Sequence, residues 1–332
     1  MITFLFKKRM TCLMIACVLC MALLTAGCAC FSLSLVEKPQ SLDETVISGK
    51  GKDKILLVDI SGVLSTKGKG GLFPFQQEAS IVSRVREELK KAEQDKRVKG
   101  LILRVNSPGG TVTSSDIIYR EINRFKAERK IPVIACVMEL AASGGYYVSM
   151  AADTIVVNPT SVIGSIGVIA LKFNAKGLME KIGLEDETIK AGDKKDLWSP
   201  FRPNTKEERA ILQNMLDNFH ERFMKIVTEG RKELSLEQVR VLADGRVFTA
   251  EQAAREKLVD EIGYLDDAVE LVKKRAGIDK ARVIMYHRPY SYKNNIYSRA
   301  MGSDIKNISL VNIDLGKLLD DMGLRFMYMW LP

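Results

Sequence analysis

Two apolar runs, each ending in a glycine turn, constrain the fold of this chain most strongly. Residues 98–110 close with a Pro-Gly-Gly turn, and residues 131–137 lead into a Ser-Gly-Gly turn. Each run predicts a buried strand, and residues 78–95 and 111–129 carry apolar side chains at helical spacing. This alternation of strand and helix is typical of α/β layers with parallel strands and right-handed crossovers.

Ser143 lies between the second strand and a run of small residues that is compatible with a helix. A hydroxyl at such a junction meets free backbone N–H groups, which favour developing negative charge. The alternative is a tight turn in which the Ser143 side chain only caps the helix. The window alone leaves both interpretations open.

A serine nucleophile needs a base, and the chain offers two kinds. The only histidines are His220 and His287, and neither has a recognisable third member of a triad. A lysine is the other option, and an apolar-rich loop carries Lys194 and Lys195. For a lysine to act near neutral pH, its pKa must fall by about three units from roughly 10.4. The alternative for this pair is a solvated surface loop. Directly after the loop, Thr205 and a glutamate three residues on predict a capping box at the start of a long helix.

Composition excludes several classes of site. The chain has 332 residues and a formal charge of +9, but the basic residues alternate with acidic ones, which argues against a nucleic-acid-binding stripe. Five of the six cysteines fall in the first thirty residues, leaving Cys136 alone in the main domain. A disulfide framework is therefore excluded there. The histidines are not in metal-ligand spacing, so we expect no metal ion. A serine nucleophile with its base requires no organic cofactor, and none is expected.

The N-terminal segment, residues 1–36, reads as an export signal. A basic Lys7-Lys8-Arg9 cluster precedes an uncharged run long enough to cross a bilayer. Within it, the residues that end in Cys28 resemble the lipobox of bacterial lipoproteins, which makes Cys28 a candidate for lipidation. The alternative is an uncleaved signal anchor. Either tether places the body of the protein outside the cytoplasm.

Three further segments follow the signal. Residues 37–53 are polar and are interpreted as a linker, and residues 54–286 form the main α/β domain. Residues 287–332 form a basic tail that becomes amphipathic towards its end. This last part is expected to pack on a neighbour or on the membrane surface.

Four motifs occur in the same order as in a known family. They are Asn106-Ser-Pro-Gly-Gly110, Ala142-Ser-Gly-Gly-Tyr-Tyr147, Gly164-Ser-Ile-Gly167 and Lys195-Asp-Leu-Trp-Ser-Pro-Phe-Arg202. The chain thereby resembles the signal peptide peptidases of the SppA (protease IV) type, in their short single-domain form. This resemblance implies a ClpP/crotonase-like α/β fold and a Ser-Lys dyad. Ser143 matches the nucleophile, and Lys195, not Lys194, matches the general base.

The resemblance also implies an oxyanion hole made of backbone N–H groups. Gly110 and Gly144 are the expected donors, with Gly109 as the near alternative, because glycine lets the backbone approach a tetrahedral oxyanion closely. The resemblance further implies a homo-oligomer, in which the serine and the lysine meet across a subunit boundary.

The expected function is therefore that of a membrane-tethered, extracytoplasmic serine endopeptidase. Its substrates would be short hydrophobic peptides, such as signal peptides that remain after secretion, and no nucleic acid is expected as a partner. Two alternatives remain. One is a crotonase-like acyl-CoA enzyme, which uses the same pair of amides to stabilise an enolate, and the other is a membrane-tethered scaffold of the same fold without turnover.

Overall fold

A mainly parallel β-sheet forms the centre of the computed structural model, which describes residues 41–68, 79–288 and 325–331. The predicted signal segment with Cys28 and most of the tail after residue 288 lie outside these ranges. The expected α/β architecture with parallel strands is therefore found in the described part of the chain.

The strands and helices follow one another in the predicted alternation. The strands are β1 (Asp43–Gly49), β2 (Asp53–Ser61), β3 (Val98–Ser107), β4 (Gly109–Thr111), β5 (Val133–Ala142), β6 (Thr154–Val157), β7 (Val162–Gly164), β8 (Ile169–Ala170), β9 (Val247–Thr249), β10 (Glu261–Ile262), β11 (Ala281–His287) and β12 (Phe326–Met329). The helices are α1 (Ile81–Gln94), α2 (Val112–Arg129), α3 (Gly144–Ser149), α4 (Lys176–Lys181), α5 (Lys206–Gly230), α6 (Leu236–Leu242), α7 (Ala250–Arg255) and α8 (Leu265–Ala276).

The large sheet has the strand order β1-β11-β2-β3-β5-β6-β10. From β11 to β10 all neighbours are parallel, and β7 continues the parallel pairing beside the end of β5. A smaller antiparallel sheet has the order β4-β12-β8. Because β3 and β5 run in the same direction, their carboxyl ends bring the Pro-Gly-Gly and Ser-Gly-Gly turns to one edge of the sheet.

Alternate residues of each central strand pack on opposite faces of the sheet, as the period of two requires. On one face, Leu56 and Leu103 belong to a core that includes residues of α1, α2 and α5. On the other face, Leu57 and Ile102 pack with Val272 of α8. Both faces are covered, which explains why these strands read as continuous apolar runs.

Cys136 lies within β5 on the face covered by α8 and is fully buried. It is a free thiol. Burial raises the pKa of Cys136 to about 12, so the thiol stays protonated at physiological pH.

A buried ion pair joins β2 and β3. Arg104 Nε donates to Asp59 Oδ1 at 3.0 Å, and both side chains are only 4% exposed. Burial alone would raise the pKa of Asp59, but Arg104, with help from Arg84 and Ser61, lowers it below the usual value. A buried pair of this kind depends on both partners being present.

Two segments differ from the sequence-based expectation. Residues 43–49, within the polar stretch interpreted as a linker, form β1 and pair antiparallel with β11. This edge strand is mostly exposed, which is why its composition resembles that of a linker. Residues 326–329, within the tail, form β12. In contrast, the capping box of Thr205 and Glu208 at the start of α5 is present as predicted.

None of the helices among the described residues combines the length and the apolar character that crossing a membrane requires.

Replacing Arg104 with alanine should lower the free energy of unfolding by up to about 3–5 kcal/mol, because the buried carboxylate of Asp59 would keep only the Ser61 hydroxyl and the charge of Arg84. Denaturant-induced unfolding measures this loss. Arg246→Ala is the control, since Arg246 forms an exposed pair with Asp244 and its removal should change stability by less than about 1 kcal/mol. Equal losses in the two variants would contradict the assignment of the buried pair.

Candidate active site

Ser143 sits in a strained turn between β5 and α3. Its φ is 52° and its ψ is −116°, a combination that non-glycine residues rarely adopt. The residue is 1% exposed. Its N–H donates to Gly164 O at 2.7 Å, and its Oγ lies 3.5 Å from Gly167 O. Two residues of the Gly164–Gly167 motif therefore hold the backbone and orient the hydroxyl of Ser143. A strained turn of this type at the end of a strand is typical of serine nucleophiles.

The alternative in which Ser143 only caps α3 does not agree with this geometry. Its side chain makes no capping hydrogen bond to the helix. The hydroxyl is instead directed at the Gly164–Gly167 segment, so it is free of a structural role in α3.

The two glycine turns approach each other without room for side chains. A Cβ added at Gly109 would lie 1.9 Å from Tyr328 O and 2.7 Å from Gly144 N. A Cβ at Gly110 would lie 2.0 Å from Leu64 O, and one at Gly144 would lie 2.4 Å from Ser115 Oγ. Gly109 also has a φ of +100°. All three positions thus require glycine on steric grounds.

The backbone N–H groups of these glycines are not equally available. Gly109 N–H already donates to Ser107 Oγ at 3.1 Å, and Ser107 Oγ itself donates to Gly62 O. Gly144 is the first residue of α3, so its N–H has no partner within the helix. Ser107, to which the sequence assigned no chemistry, therefore fixes the turn and leaves Gly110 and Gly144 as the better placed donors.

A strand from the tail lies across these glycines. Residues of β12 pair with β4 on one side, with Tyr328 opposite Gly110, and with β8 on the other. Trp330 N–H donates to Pro108 O at 2.8 Å. Because hydrogen-bonded pairs alternate along an antiparallel ladder, Tyr328 and Gly110 form the next such pair. The Gly110 N–H therefore points at the carbonyl oxygen of Tyr328.

The side chain of Tyr328 fills an aromatic pocket. It is fully buried, its ring centroid lies 5.1 Å from that of Tyr147 and 4.8 Å from that of Phe223, and its hydroxyl donates to Phe219 O at 2.7 Å. Tyr147 in turn donates to Asp116 Oδ1 at 2.6 Å. Burial and this hydrogen bond both raise the pKa of Tyr147, so its phenol remains a donor.

A cavity of about 430 Å³ opens beside the nucleophile. It is lined by Gly167, the residue whose carbonyl faces Ser143 Oγ, and by Met329 of β12. Its polar lining residues include Ser165, Asp217 and Asp244; Asp217 also accepts a hydrogen bond from Gln213, and Asp244 accepts hydrogen bonds from Arg246. A cavity with several oxygen acceptors suits a group that donates hydrogen bonds.

Lys195 does not meet Ser143 within this chain. It is exposed, and no hydrogen bond joins its Nζ to any described residue. Its neighbour Lys194 forms an ion pair with Glu207. The structure therefore brings together Ser143 and the three glycines, and leaves Lys195 apart from them.

The loop that carries Lys195 is nevertheless well anchored. Arg202 binds both Asp196 and Glu208, the glutamate of the capping box at the start of α5. Hydrogen bonds from Arg202 lower the pKa of Glu208 to about 2. Hydrogen bonds from Arg202 and, to a smaller extent, from Lys190 lower the pKa of Asp196. These carboxylates thus stay ionised and hold the loop to the start of α5.

Neither histidine completes a triad with Ser143. His220 lines the cavity, and its Nε2 is buried without a hydrogen-bond partner among the described residues. His287 pairs with Thr45 at the far edge of the large sheet. The described residues also contain no group of three or more histidine, cysteine or acidic side chains that could hold a metal ion.

Sequence reasoning missed the residues that surround β12. Tyr147 was part of a quoted motif, but its pocket is completed by Phe223 of α5 and by Tyr328 of the tail. The alternation of aromatic residues at positions 326, 328 and 330 was the one signal for a strand there.

Residues 125–279 match the family described as Peptidase family S49, and residues 73–163 match the family described as Clp protease. A protein of Enterococcus faecium that is named for signal peptide peptidase SppA is 38% identical over 74% of this chain and 70% of its own length. The chloroplast serine protease SPPA of Arabidopsis thaliana is 33% identical over 82% of this chain and 39% of its own length. Protease 4 of Haemophilus influenzae is 38% identical over 56% and 31%, respectively.

These similarities, together with the mainly parallel sheet, confirm the expected ClpP/crotonase-like α/β fold. They also favour a peptidase over an acyl-CoA enzyme. The chain belongs to the signal peptide peptidase SppA family of serine peptidases, within peptidase family S49.

Proposed function

We propose that this protein is a membrane-tethered endopeptidase with a Ser-Lys dyad that cleaves short hydrophobic peptides, such as signal peptides released after secretion. The observation that carries the proposal is the position of β12. An extended segment lies antiparallel to β4, with the Tyr328 carbonyl oxygen beside Gly109 and Gly144. A substrate bound in the same way would present its carbonyl group next to Ser143.

In the proposed reaction, Ser143 Oγ attacks the substrate carbonyl carbon while its proton passes to the uncharged amine of Lys195. The N–H groups of Gly110 and Gly144 stabilise the oxyanion, each by roughly 3 kcal/mol. The carbon–nitrogen bond then breaks, and the leaving amine takes the proton from Lys195. Water, activated by Lys195, finally attacks the acyl ester and releases both the acid and Ser143.

We infer that Lys195 reaches Ser143 from a second copy of the chain. Lys195 is exposed in its own chain, whereas the cavity beside Ser143 offers the acceptors Ser165, Asp217 and Asp244. Removal of the lysine from water beside the buried Ser143 would favour the uncharged amine that the reaction needs, and this desolvation must outweigh the carboxylates of Asp217 and Asp244, which favour the ammonium.

An apolar arm supports this assembly. The arm is defined as residues 171–192 and immediately precedes the Lys195 loop. It exposes several large apolar side chains, and Ile189 is 98% exposed. These side chains are Leu171, Phe173, Leu178, Ile182, Leu184 and Ile189. Such a concentration is typical of a surface that is covered by a partner, and a homo-oligomer would bury it while delivering Lys195 to the neighbouring site.

Ser143→Ala and Lys195→Ala should each reduce cleavage of a purified signal peptide by more than about 1,000-fold, because nucleophile and base act as a unit. Lys194→Ala is the matched control and should retain activity, since Lys194 pairs with Glu207 on the surface. Co-expressing the two inactive variants in equal amounts should restore activity at roughly one site in four if the dyad forms between subunits. Mixed assemblies without activity would place the dyad within one chain, and a wild type that cleaves no peptide would favour the scaffold alternative.

Tyr328→Ala should raise kcat/KM for an added peptide about tenfold, because β12 and a substrate compete for the same strand edge and the pocket would lose its largest anchor. A peptide-cleavage assay on the full chain measures the change. Met327→Ala is the control, since the side chain of the preceding residue points to the opposite face of the strand. Unchanged kcat/KM in Tyr328→Ala would show that β12 does not occupy the substrate path in solution.

We also propose that the N-terminal segment tethers the protein to the membrane. Deletion of residues 1–36 should move the protein from the membrane fraction to the soluble fraction, because the uncharged run would be lost. Cys28→Ala removes the lipidation site but leaves the uncharged run in place, so this variant should stay in the membrane fraction with either tether. Membrane retention of the deletion variant would contradict the proposal, and mass spectrometry of the mature N-terminus identifies the tether.

A further inference from the structure

We propose that Arg202 and Lys190 are positioning residues for the general base: they neutralise the carboxylate of Asp196, so that this neighbour does not hold Lys195 in its charged form. The inference rests on the proposed function, because it takes Lys195 as the base. It deepens that function by naming the residues that prepare the amine for proton transfer.

A carboxylate directly follows the base in the chain. Backbone hydrogen bonds fold the loop into successive turns: Lys195 N–H donates to Gly192 O at 3.0 Å, and Ser199 N–H donates to Asp196 O at 2.8 Å. An anionic group within about 4–6 Å of an ammonium stabilises the charged form. The reaction needs the uncharged amine, so a carboxylate at this position works against the base unless another cation occupies it.

Both oxygens of Asp196 are occupied by other cations. Arg202 Nε donates to Oδ2 at 2.7 Å, Arg202 Nη2 donates to Oδ1 at 2.7 Å, and Lys190 Nζ donates to Oδ1 at 2.6 Å. Lys195 donates none of the described hydrogen bonds to this carboxylate. Asp196 therefore stays ionised, but its charge is balanced by two cations other than the base.

The guanidinium of Arg202 is itself fixed by a helix. Its Nη1 donates to Glu208 Oε2 at 2.9 Å, and its Nη2 donates to Glu208 Oε1 at 2.6 Å. Glu208 is 1% exposed, and its Oε2 also accepts from Thr205 N–H in the capping box of α5. The planar fork thus binds one carboxylate with each of two edges, and the first turn of α5 fixes the cation that neutralises the loop.

Two further carboxylates belong to the region around the base. Glu207 accepts from Lys194 Nζ at 2.5 Å, and this hydrogen bond is the main reason that the pKa of Lys194 is raised. Asp193 is exposed and adds to the negative charge near Lys194. Lys172 supplies a positive charge over the ring of Trp198, 5.9 Å from its centroid. The two consecutive lysines therefore differ, because the first is tied to a carboxylate and the second is not.

The cavity beside the nucleophile presents the charges that the base would meet on the neighbouring copy. Asp244 is held by Arg246, whose Nε donates to both of its oxygens. Asp217 accepts from the uncharged amide of Gln213, and His220 lines the same cavity. Within the described part of the chain, Asp217 is thus the cavity carboxylate without a cation partner. The pairing inside the loop keeps a further negative charge away from the amine.

The test measures kcat/KM against pH for the full-length protein with a hydrophobic peptide that has no titratable groups, because the acid limb of this profile reports the protonation of the base. Arg202→Ala should move the acid limb to higher pH by about one unit, since the freed carboxylate would stabilise the ammonium of Lys195. Arg202→Lys keeps a cation between Asp196 and Glu208 and should keep the limb in place. Arg202→Ala combined with Asp196→Asn should return the limb most of the way, because the uncompensated charge is gone.

Arg86→Ala is the matched control. Arg86 forms a surface ion pair with Glu121, so its loss should not move the acid limb. A purely structural role of Arg202 would lower kcat/KM by the same factor at every pH and leave the limb unmoved, and that result would overturn the proposal.

If Arg202→Ala does not fold, Lys190→Ala carries the same test. It removes one cation from Asp196 and leaves Arg202 in place, so the acid limb should move in the same direction by a smaller amount. An unmoved limb in this variant would likewise overturn the proposal.

A labelling measurement separates this inference from the proposed function. An amine-reactive reagent modifies only the uncharged amine, so the pH dependence of modification, read by mass spectrometry in the Ser143→Ala variant, follows the proton without turnover. Lys195 should react at lower pH than Lys194, and adding Arg202→Ala should move the Lys195 profile up by about one pH unit. If Lys195→Ala retains full cleavage activity while the labelling shows this shift, the proposed function fails and the control of the lysine charge stands. If Lys195→Ala is inactive and the labelling does not shift, the dyad stands and this inference falls.

Discussion

The close packing around Gly109, Gly110 and Gly144, which leaves no room for a side chain, is the constraint on which the site depends. At each position a single added carbon would overlap a neighbouring atom. Because Gly109 and Gly110 have no side chains, β4 can contact Leu64 on one side and β12 on the other. The backbones of Gly109 and Gly144 thereby lie close together, beside the strained turn of Ser143. An oxyanion hole needs preorganised donors, since their alignment before the reaction is what lowers the barrier.

The strands, turns and helix start around Ser143 could be predicted from the sequence, because each depends on a short run of contiguous residues. Apolar runs predict β3 and β5, and the glycines that end them predict turns, so Ser143 is placed correctly between strand and helix. The capping box at Thr205 follows the same logic and is present. What the sequence left open was the role of the Ser143 side chain, which only the three-dimensional contacts with Gly164 and Gly167 indicate.

The pairing of strands that are distant in the sequence could not be predicted from the sequence. The partners of β12 lie in β4 and β8, far away in sequence, and no periodicity within the tail reveals a pairing partner elsewhere in the chain. The strand at residues 43–49 was not predicted for another reason, because an exposed edge strand has a polar composition that resembles that of a linker. Lys195 shows a third limit. Its exposure in its own chain is compatible with a surface loop as well as with a base supplied to a neighbour, and only the cavity beside Ser143 and the apolar arm favour the second interpretation.

The burial of Cys136 has a practical consequence for the strand that carries the nucleophile. Its thiol lies seven residues before Ser143 on β5 and is inaccessible and protonated while the sheet is intact. Alkylating reagents attack thiolates that solvent can reach, so modification of this sulfur must await opening of the central sheet. The rate at which Cys136 is alkylated would therefore measure how often β5 opens from the sheet. Because β5 leads directly into Ser143, this native thiol reports on the stability of the strand that positions the nucleophile.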